Sequence, residues 1–576
     1  MANSKTPNYD AKVKTILENL QPGERVCELT GEKWMMDEEE IGWYKKFNVP
    51  PSTVSPVLRL WQNAAFYTCY QWWWNKHFET GEPVLTYVHP GTGLRVLPDK
   101  EWFARDFTEV SADVDLALPL FPQLRELQLR IPLNATRNTV EPENAIATVS
   151  MGDKDSYFVS SSKSKSCLYN LDCQDAEGCV DCNAGISITD CYRVSYSSRI
   201  YRCLFTFQCY DCLDSAFLFD CRNCESCFGA SNKRNRKYLW WNEQLSKDEW
   251  EKRRKEVDLG TFDGLEALRK EFMEMIEQSV WPENFNVGTT GSIGEYLIEC
   301  SDCRFSSFGR DGHHNYYCFG IWSGKDNAFS TAIPGEHNYH AWAASSSHCK
   351  FSTSLVRCDD CEYSLNCYDC SHCFGCIGLR HKSYHIFNKP YAEEEYWRRV
   401  DELKCVMLER GEYGRMLPPM FSFGYFPESG AVFYLGAGLE DWDKVGMSKF
   451  SIDAEGAFGA LRMEGKTVLR PDEVPNHVDQ LDESWAGRAI LDTEIKRPFA
   501  FLKPEITFYK KHRIAPPRQH FTARIRDLIW ASNSGLMEKN TCSNCHKEIY
   551  VATNRTFTNR KIYCQSCYVQ YLETNS

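Results

Sequence analysis

The chain has 576 residues, of which 43% are hydrophobic and 25% charged, and it carries 28 cysteines and a formal net charge of −13 at pH 7. This composition excludes a disordered or collagen-like chain and predicts a soluble globular protein of several domains. The negative charge argues against nucleic-acid binding by the molecule as a whole.

The start of the chain, residues 1–10, has no apolar stretch behind a basic group, and no apolar run in the sequence is long enough to span a bilayer. We therefore expect neither a signal peptide nor a membrane span, and we place the protein in the cytoplasm. In a reducing cytoplasm, cysteines serve as metal ligands or as small buried residues. A secreted scaffold held by disulfides is the alternative interpretation.

The two ends of the chain resemble each other. The segment from Glu40 to Lys46 reads EIGWYKK and the segment from Glu505 to Lys511 reads EITFYKK. We call the difference in residue number between Glu40 and Glu505 the end-to-end offset, and two residues separated by it are counterparts. Each segment predicts a short helix that ends before a pair of prolines and is followed by a second helix. We predict that residues 1–150 form a degenerate zinc-ribbon-like N-terminal module with helices.

Cysteines recur in two blocks at spacings that are multiples of three. Every gap between Cys167 and Cys227 obeys this rule, and it holds on both sides of one break between Cys318 and Cys349. A strand repeats every two residues and a helix every 3.6, so period three predicts a chain that turns a corner every few residues. The predicted fold class is mixed β-rich α+β: a two-lobed, Cys-lined β-solenoid with helical inserts and zinc-ribbon-like modules at both ends.

The same blocks define the predicted domain organisation. Residues 221–229 and 367–375 share the pattern C-x-x-C-x-x-C-F-G, and helical stretches are predicted at 247–258, 264–279 and 392–410. After residue 150 we predict a first solenoid block (151–237), a helical insert (238–285), a second solenoid block (286–382), a helical block (383–415), a mixed or irregular connecting region (416–500) and a basic C-terminal zinc-ribbon module (501–576).

One run in the second block has the spacing of a cluster or thiol site: Cys367, Cys370, Cys373 and Cys376. The spacing is close to that of a ferredoxin, but the last gap is shorter by one position and no proline follows. We favour a structural ladder of buried thiols over an iron–sulfur cluster or a redox pair.

The C-terminal module carries the strongest metal signal. It contains two Cys-x2-Cys pairs, formed by Cys542, Cys545, Cys564 and Cys567. Two tight turns at this separation bring four thiolates around one tetrahedral Zn²⁺. Since four protein ligands leave no open coordination position, we expect the zinc to hold the fold and not to activate water.

The N-terminal copy of this ribbon has lost its ligands, because only His77 in the corresponding stretch could bind a metal. We expect an apolar, metal-free version packed by tryptophans: Trp72, Trp73, Trp74 and Trp102.

The segment from Cys27 to Arg59 resembles the small "probable zinc-ribbon" module, which has Cys-x2-Cys-Gly, a Glu-x-x-Phe-Tyr helix and Cys-Pro-x-Cys-Arg. Here Thr30, Ser55 and Leu58 stand at three of the four ligand positions. The whole chain is also similar to a group of long, uncharacterised Cys-rich proteins of small-genome candidate-phylum bacteria, through its ribbon-like ends and its repeated C-x-x-C-x-x-C-F-G blocks. That resemblance implies the architecture and brings no activity.

Residues 503–567 carry an excess of Lys and Arg over Asp and Glu, with aromatic residues interleaved. Cations beside aromatic platforms are typical of RNA contacts. The candidate contacts to RNA or an acidic protein partner are Lys510, Lys511, Arg513, Arg518, Arg524 and Arg526.

We favour a non-enzymatic zinc-binding scaffold or binding protein, because no catalytic motif is recognisable. The alternative is a thiol-redox or metal-handling protein that uses the Cys-rich solenoid for storage or for a cluster. The sequence leaves the identity of the partner and the oligomeric state open.

Overall fold

A computed structural model describes residues 4–450 and 467–576, so part of the predicted connecting region, residues 451–466, lies outside the described residues. The protein has a mixed α/β structure with many small sheets. The described residues form two compact units: unit 1 draws on residues 4–135, 286–450 and 535–537, and unit 2 on residues 136–285, 467–534 and 538–576. Each unit therefore joins one terminal module to the cysteine-rich block that is not adjacent to it in sequence.

In the described part of the chain, the α-helices are α1 (Pro7–Glu18), α2 (Glu38–Phe47), α3 (Pro56–Ala64), α4 (Asp99–Phe103), α5 (Leu120–Arg130), α6 (Lys247–Glu256), α7 (Phe262–Gln278), α8 (Glu393–Glu409), α9 (Gly430–Phe433), α10 (Trp442–Val445), α11 (Lys503–His512), α12 (Phe521–Ala531) and α13 (Gln565–Asn575). Helices α6, α7 and α8 occupy the three stretches predicted to be helical. No helix among the described residues is long and apolar enough to cross a bilayer.

The strands of unit 1 are Gly23–Val26, Lys33–Met36, Trp73–Lys76, Pro83–Thr86, Val96–Leu97, Leu133–Asn134, Ile293–Ile298, Ser301–Arg310, His313–Tyr316, Thr331–Glu336, Trp342–Ser347, Leu355–Val356, Asp359–Glu362, Ser371–Phe374, Ser383–Ile386 and Lys389–Pro390. The strands of unit 2 are Ile146–Thr148, Tyr157–Ser160, Lys163–Lys165, Gln174–Glu177, Ile186–Thr189, Tyr192–Ser195, Ser198–Tyr201, Leu204–Phe207, Ala216–Phe219, Phe228–Ser231, Leu239–Trp240, Glu243–Gln244, Val280–Pro282, Val468–Leu469, Ala489–Asp492, Arg497–Phe499, Met537–Thr541, Glu548–Ala552 and Lys561–Tyr563.

Successive strands of the cysteine-rich blocks pair in parallel at a nearly constant register. Leu204 pairs with Ala216 in unit 2, and Cys361 pairs with Cys373 in unit 1. Exposed ion pairs follow the same register, since Arg199 Nε lies 2.6 Å from Asp211 Oδ1. Residues separated by the same interval as Leu204 and Ala216 are therefore neighbours on adjacent strands of the ladder.

The backbone of these blocks changes direction at every third residue. Between Asp172 and Asp190, a positive φ recurs at each third position, Gly178 among them. Gly, Asn and Asp tolerate this left-handed conformation best, which explains why Asp is frequent there. The period of three predicted from the cysteine spacing is thus a property of the backbone, and Cys173 and Cys191 each follow directly after such a corner.

Cysteine side chains fill the interior of both blocks. Every cysteine from Cys167 to Cys227 is at most 1% exposed. Their thiols donate weak hydrogen bonds to the second carbonyl before them, as Cys173 Sγ does to Leu171 O at 3.4 Å. Burial raises the pKa of Cys173 and Cys203 well above the usual thiol range, so both thiols stay protonated and unreactive at neutral pH.

The repeated Phe-Gly pair lies one turn before the end of each parallel ladder, because one more parallel strand follows it in both units. Gly375 has φ 63, and a Cβ atom there would lie 2.4 Å from the ring of Phe387. Gly229 stands in the same relation to Trp241, with φ 67 and the same 2.4 Å approach. The motif therefore places a glycine under the aromatic ring that covers the end of the ladder, because its φ is positive and a Cβ atom there would force the ring to shift.

Candidate metal centre

Four cysteine sulfurs of the C-terminal module converge on one point: Cys542, Cys545, Cys564 and Cys567. All four Sγ atoms lie within 4.8 Å of one another, and Cys545 Sγ lies 3.7 Å from Cys564 Sγ. Zn–S bonds of about 2.3 Å in a tetrahedron separate the sulfurs by about 3.8 Å. The four thiols therefore fit a tetrahedral metal ion, and the prediction that they come together is confirmed.

Two turns position the ligands. Strands Met537–Thr541 and Glu548–Ala552 form a two-stranded sheet on either side of the first turn, where His546 has φ 60 and donates its N–H to Cys542 O at 3.0 Å. The second pair lies where Lys561–Tyr563 meets α13, with Cys564 as the N-cap residue.

Backbone N–H groups point at the sulfurs. Cys542 Sγ accepts the N–H of Asn544 at 3.5 Å and that of Cys564 at 3.2 Å. Burial opposes ionisation of this thiol, but the N–H groups of Cys545, Cys564 and Asn544 outweigh it and lower the pKa of Cys542 to about 6. This turn is therefore prepared for a thiolate, which is the form that binds metal.

The N-terminal stretch related to this module by the end-to-end offset keeps the turn and has other residues at the positions of its cysteines. His77 stands at the position of Cys542, and its Nδ1 accepts the N–H of Glu79 and of Thr80, both at 3.2 Å. Trp102 stands at the position of Cys567 and is 0% exposed. Of the other predicted packing residues, Trp72 and Trp73 are buried and Trp74 is half-buried.

The hairpin of strands Gly23–Val26 and Lys33–Met36, just before α2, contains a second turn whose backbone N–H groups surround one side chain. Burial opposes ionisation of Cys27, but N–H groups of Ser55, Leu29 and Thr30 and the Thr30 hydroxyl lower its pKa. Leu29 and Thr30 have the same positions relative to Cys27 as Asn544 and Cys545 have relative to Cys542, and Ser55, like Cys564, is a donor from farther along the chain. Gly31 has φ 71 and donates its N–H to Cys27 O, as His546 does to Cys542 O.

A further turn was missed at the sequence level. Asp492 corresponds to Cys27 through the end-to-end offset, and its Oδ1 accepts the N–H of Glu494 at 2.8 Å and of Ile495 at 3.2 Å. Its Oδ2 accepts the N–H of His520 at 2.8 Å, and Lys496 supplies the positive φ. Applying the same offset to Cys27 and Ser55 would have found it.

The cysteines with ferredoxin-like spacing are not brought together as a metal site. Cys367, Cys370, Cys373 and Cys376 are the inward residues of four successive three-residue steps. Among the described residues, only the C-terminal quartet gathers three or more Cys, His, Asp or Glu ligand atoms within 4.8 Å. Hydrogen bonds from neighbouring thiols lower the pKa of Cys370 and of Cys224, its counterpart in unit 2.

Most of the predicted partner contacts are engaged within unit 2. Lys511 Nζ lies 2.7 Å from Asp190, Arg513 lies 3.3 Å from Asp479, and Arg526 lies 2.6 Å from Glu494. Lys510 is exposed, whereas Arg518 lies half-buried over the ring of Phe262 at 3.9 Å.

Arg524 is a buried structural residue. It is 1% exposed and lies 3.2 Å from Asp181 and 3.4 Å from Glu505. Arg59, its counterpart through the end-to-end offset, has the same relation to Glu40 in unit 1. A guanidinium enclosed in this way does not reach an external partner.

No known family model matches the sequence, and no curated protein matches it. Among solved structures, the chain is similar to one titled "putative acetyltransferase from Desulfovibrio desulfuricans G20", with 9% sequence identity and a TM-score of 0.09 over 47% of this chain and 81% of the other. A TM-score this low carries no argument about fold or function.

Proposed function

We propose that the protein is a zinc-stabilised scaffold that binds an acidic macromolecule. The observation that carries the proposal is the convergence of four sulfurs within 4.8 Å of one another in the C-terminal module. Zinc is the ion that four thiolates in two Cys-x2-Cys turns bind most commonly, and such a closed site stabilises a fold.

The scaffold itself is proposed to be a pair of β-solenoids lined with cysteine. The constant parallel register between successive strands and the corner at every third residue support this proposal. So do the fully buried thiols, because cysteine is a small, adaptable apolar residue that stacks on itself from one turn to the next.

RNA or an acidic protein is the proposed partner of the C-terminal module. Lys510, Lys511 and Arg513 support it, because all three are exposed at the end of α11. Lys511 and Arg513 retain side-chain exposures of 60% and 62% beside their carboxylate partners, which keeps their charge accessible to solvent. Exposed ion pairs are weak, so a polyanion can replace the intramolecular carboxylate.

The test is affinity capture with the purified chain, followed by titration of the captured partner at increasing salt. We expect Lys510→Glu with Lys511→Glu to weaken binding at least about tenfold and to flatten the salt dependence. Lys539→Glu with Lys561→Glu is the matched control on the ribbon and should bind like the wild type. Equal binding by both variants would refute this surface as the contact.

A metal-handling or thiol-redox role is the alternative. The lowered pKa of Cys224 and Cys370 is the observation that favours it. Both thiols are at most 2% exposed, however, so solvent reagents cannot reach them in the folded chain. Metal analysis separates the two roles, because a storage protein would bind several ions per chain.

A further inference from the structure

Unit 2 contains a cavity of about 300 Å³ that the proposed scaffold role does not use. Helix α7 forms one wall with Phe262, Glu266 and Arg269, whose helical spacing puts them on one face. Arg193 from strand Tyr192–Ser195 and Arg518 from the loop between α11 and α12 line the rest. Three arginines therefore face one space.

Arg193 is the unusual residue of this group. It is 5% exposed, and within the described parts of the chain no hydrogen bond or ion pair holds its guanidinium. The charge of Arg193 acts on the buried carboxylate of Asp181, but that carboxylate is paired with Arg524 at 3.2 Å. A buried charge without its own partner is costly, so its retention calls for a ligand of opposite charge.

Unit 1 shows that the fold does not require an arginine here. Asp181 and Arg193 are corner residues with positive φ on successive turns of the parallel ladder, and the corresponding corners of unit 1 are Phe329 and His340. Arg59 lies over the ring of Phe329 at 3.7 Å, in the place where Arg524 meets Asp181. Unit 2 thus carries charge where its counterpart is aromatic and neutral.

Arg518 is also held without a carboxylate. Its Nη2 donates to Val474 O at 3.3 Å and to Asn476 Oδ1 at 3.4 Å, which are neutral acceptors. Its guanidinium lies over Phe262 at 3.9 Å, and its buried Nε has no hydrogen-bond partner among the described residues. The Arg518 side chain is therefore held in place, and its Nε–H group remains without an acceptor among the described residues.

The two acidic residues that line the cavity, Glu266 and Asp527, are each in contact with an arginine. Glu266 pairs with Arg269 at 2.5 Å, and Asp527 pairs with Arg526 at 2.9 Å. Burial first, and then the charge of Arg193, lower the pKa of Arg269. Of the three arginines that line the cavity, Arg193 and Arg518 remain without a carboxylate in ion-pair contact in the described part of the chain.

We infer that this cavity binds a small organic phosphate, with Arg193 and Arg518 holding the phosphate group and Phe205 and Phe262 contacting the apolar body. Arginine donors match phosphate oxygens in geometry and charge. The volume reaches the lower end of the range for small-molecule sites. This inference does not depend on zinc or on an RNA partner.

The experiment is calorimetric titration of the full chain with adenosine monophosphate, phenyl phosphate and adenosine. We expect both phosphates to bind with a Kd below about 1 mM and adenosine to bind at least about tenfold more weakly, since charge-assisted hydrogen bonds supply the affinity. Arg193→Gln should weaken phosphate binding at least about tenfold, and Arg193→Lys should retain part of it.

Arg199→Gln is the matched control, because Arg199 lies in the adjacent part of the ladder but is exposed and paired with Asp211. Its affinity should equal that of the wild type. Thermal unfolding of each variant establishes that it is folded, and Arg193→Lys separates a loss of charge from a loss of structure. Absence of saturable binding of either phosphate by the wild type would overturn the inference, as would wild-type affinity in Arg193→Gln.

Discussion

Asp492 accepts backbone hydrogen bonds from the same three relative positions that surround Cys27, its counterpart through the end-to-end offset. His77 accepts two of the equivalent bonds through a ring nitrogen. The turn around the first cysteine of the C-terminal quartet thus recurs without four thiolates where one acceptor side chain stands at the corresponding position. In these turns a carboxylate, an imidazole or a single thiol accepts the backbone N–H groups that the sulfur of Cys542 accepts in the C-terminal module.

Removing that acceptor should destabilise unit 2. Asp492 is 3% exposed, and Asp492→Ala leaves three N–H groups without their partner. We expect a loss of about 2–4 kcal/mol in the free energy of unfolding, measured by urea denaturation. Asp472→Ala, at a residue with 66% side-chain exposure, is the control and should change stability by less than about 0.5 kcal/mol.

Metal content should be one zinc ion per chain. Cys545→Ser removes an exposed ligand, so we expect the bound zinc measured by mass spectrometry to fall to near zero. Cys27→Ser changes a turn that has only one thiol, so the bound zinc should remain at about one ion per chain. A higher ratio or an iron chromophore in the wild type would contradict the structural role of the site.

Thiol labelling should be almost absent in the native protein. Among all the cysteines, Cys545 is exposed, Cys405 is half-buried and the others are buried. With Cys545 bound to zinc, Cys405 is left to react, and it should react slowly because burial raises its pKa. We expect about one label per native chain, none after Cys405→Ala, and all 28 in denaturant with a chelator. Rapid labelling of many native thiols would support the redox alternative.

Stability should fall in mild acid through His340. Burial and then the charge of Arg59 lower the pKa of His340 to about 3, against an ordinary value of 6.5. The unfolded chain binds this proton first, so stability is lost as the pH falls below about 6.5 and is unaffected above it. The linkage amounts to about 2 kcal/mol between pH 7.5 and 5. His340→Gln should remove this part of the acid sensitivity; an unchanged pH profile would contradict the assignment.

The Phe-Gly corner should tolerate no side chain. Gly375→Ala combines a positive φ with a clash against Phe387, whereas Gly411 has φ 68 and open space around it. We expect Gly411→Ala to cost about 1 kcal/mol and Gly375→Ala about 1–3 kcal/mol more, both measured by thermal unfolding. Equal losses of stability in the two variants would show that the ring of Phe387 moves aside to accept a Cβ atom.

The sequence predicted those features that rest on local spacing. The convergence of Cys542 with its three partners follows from two short turns, and the period of three follows from the corner at each third residue. It did not reveal the turn at Asp492, because a carboxylate that binds backbone N–H groups carries no metal signature. The burial of Arg524 was also missed, since its partner Asp181 belongs to the first cysteine-rich block, far from it in the sequence.

The pairing of distant segments has a consequence for synthesis on the ribosome. Helix α1 packs against α8 in unit 1, and Tyr9 accordingly donates its backbone N–H to Asp401 at 2.8 Å. Most of the chain lies between these partners, so the N-terminal helices wait roughly 20–80 s for them at ordinary translation rates. During that interval their apolar faces are exposed on the nascent chain, which makes this protein a natural client for chaperones that act before release.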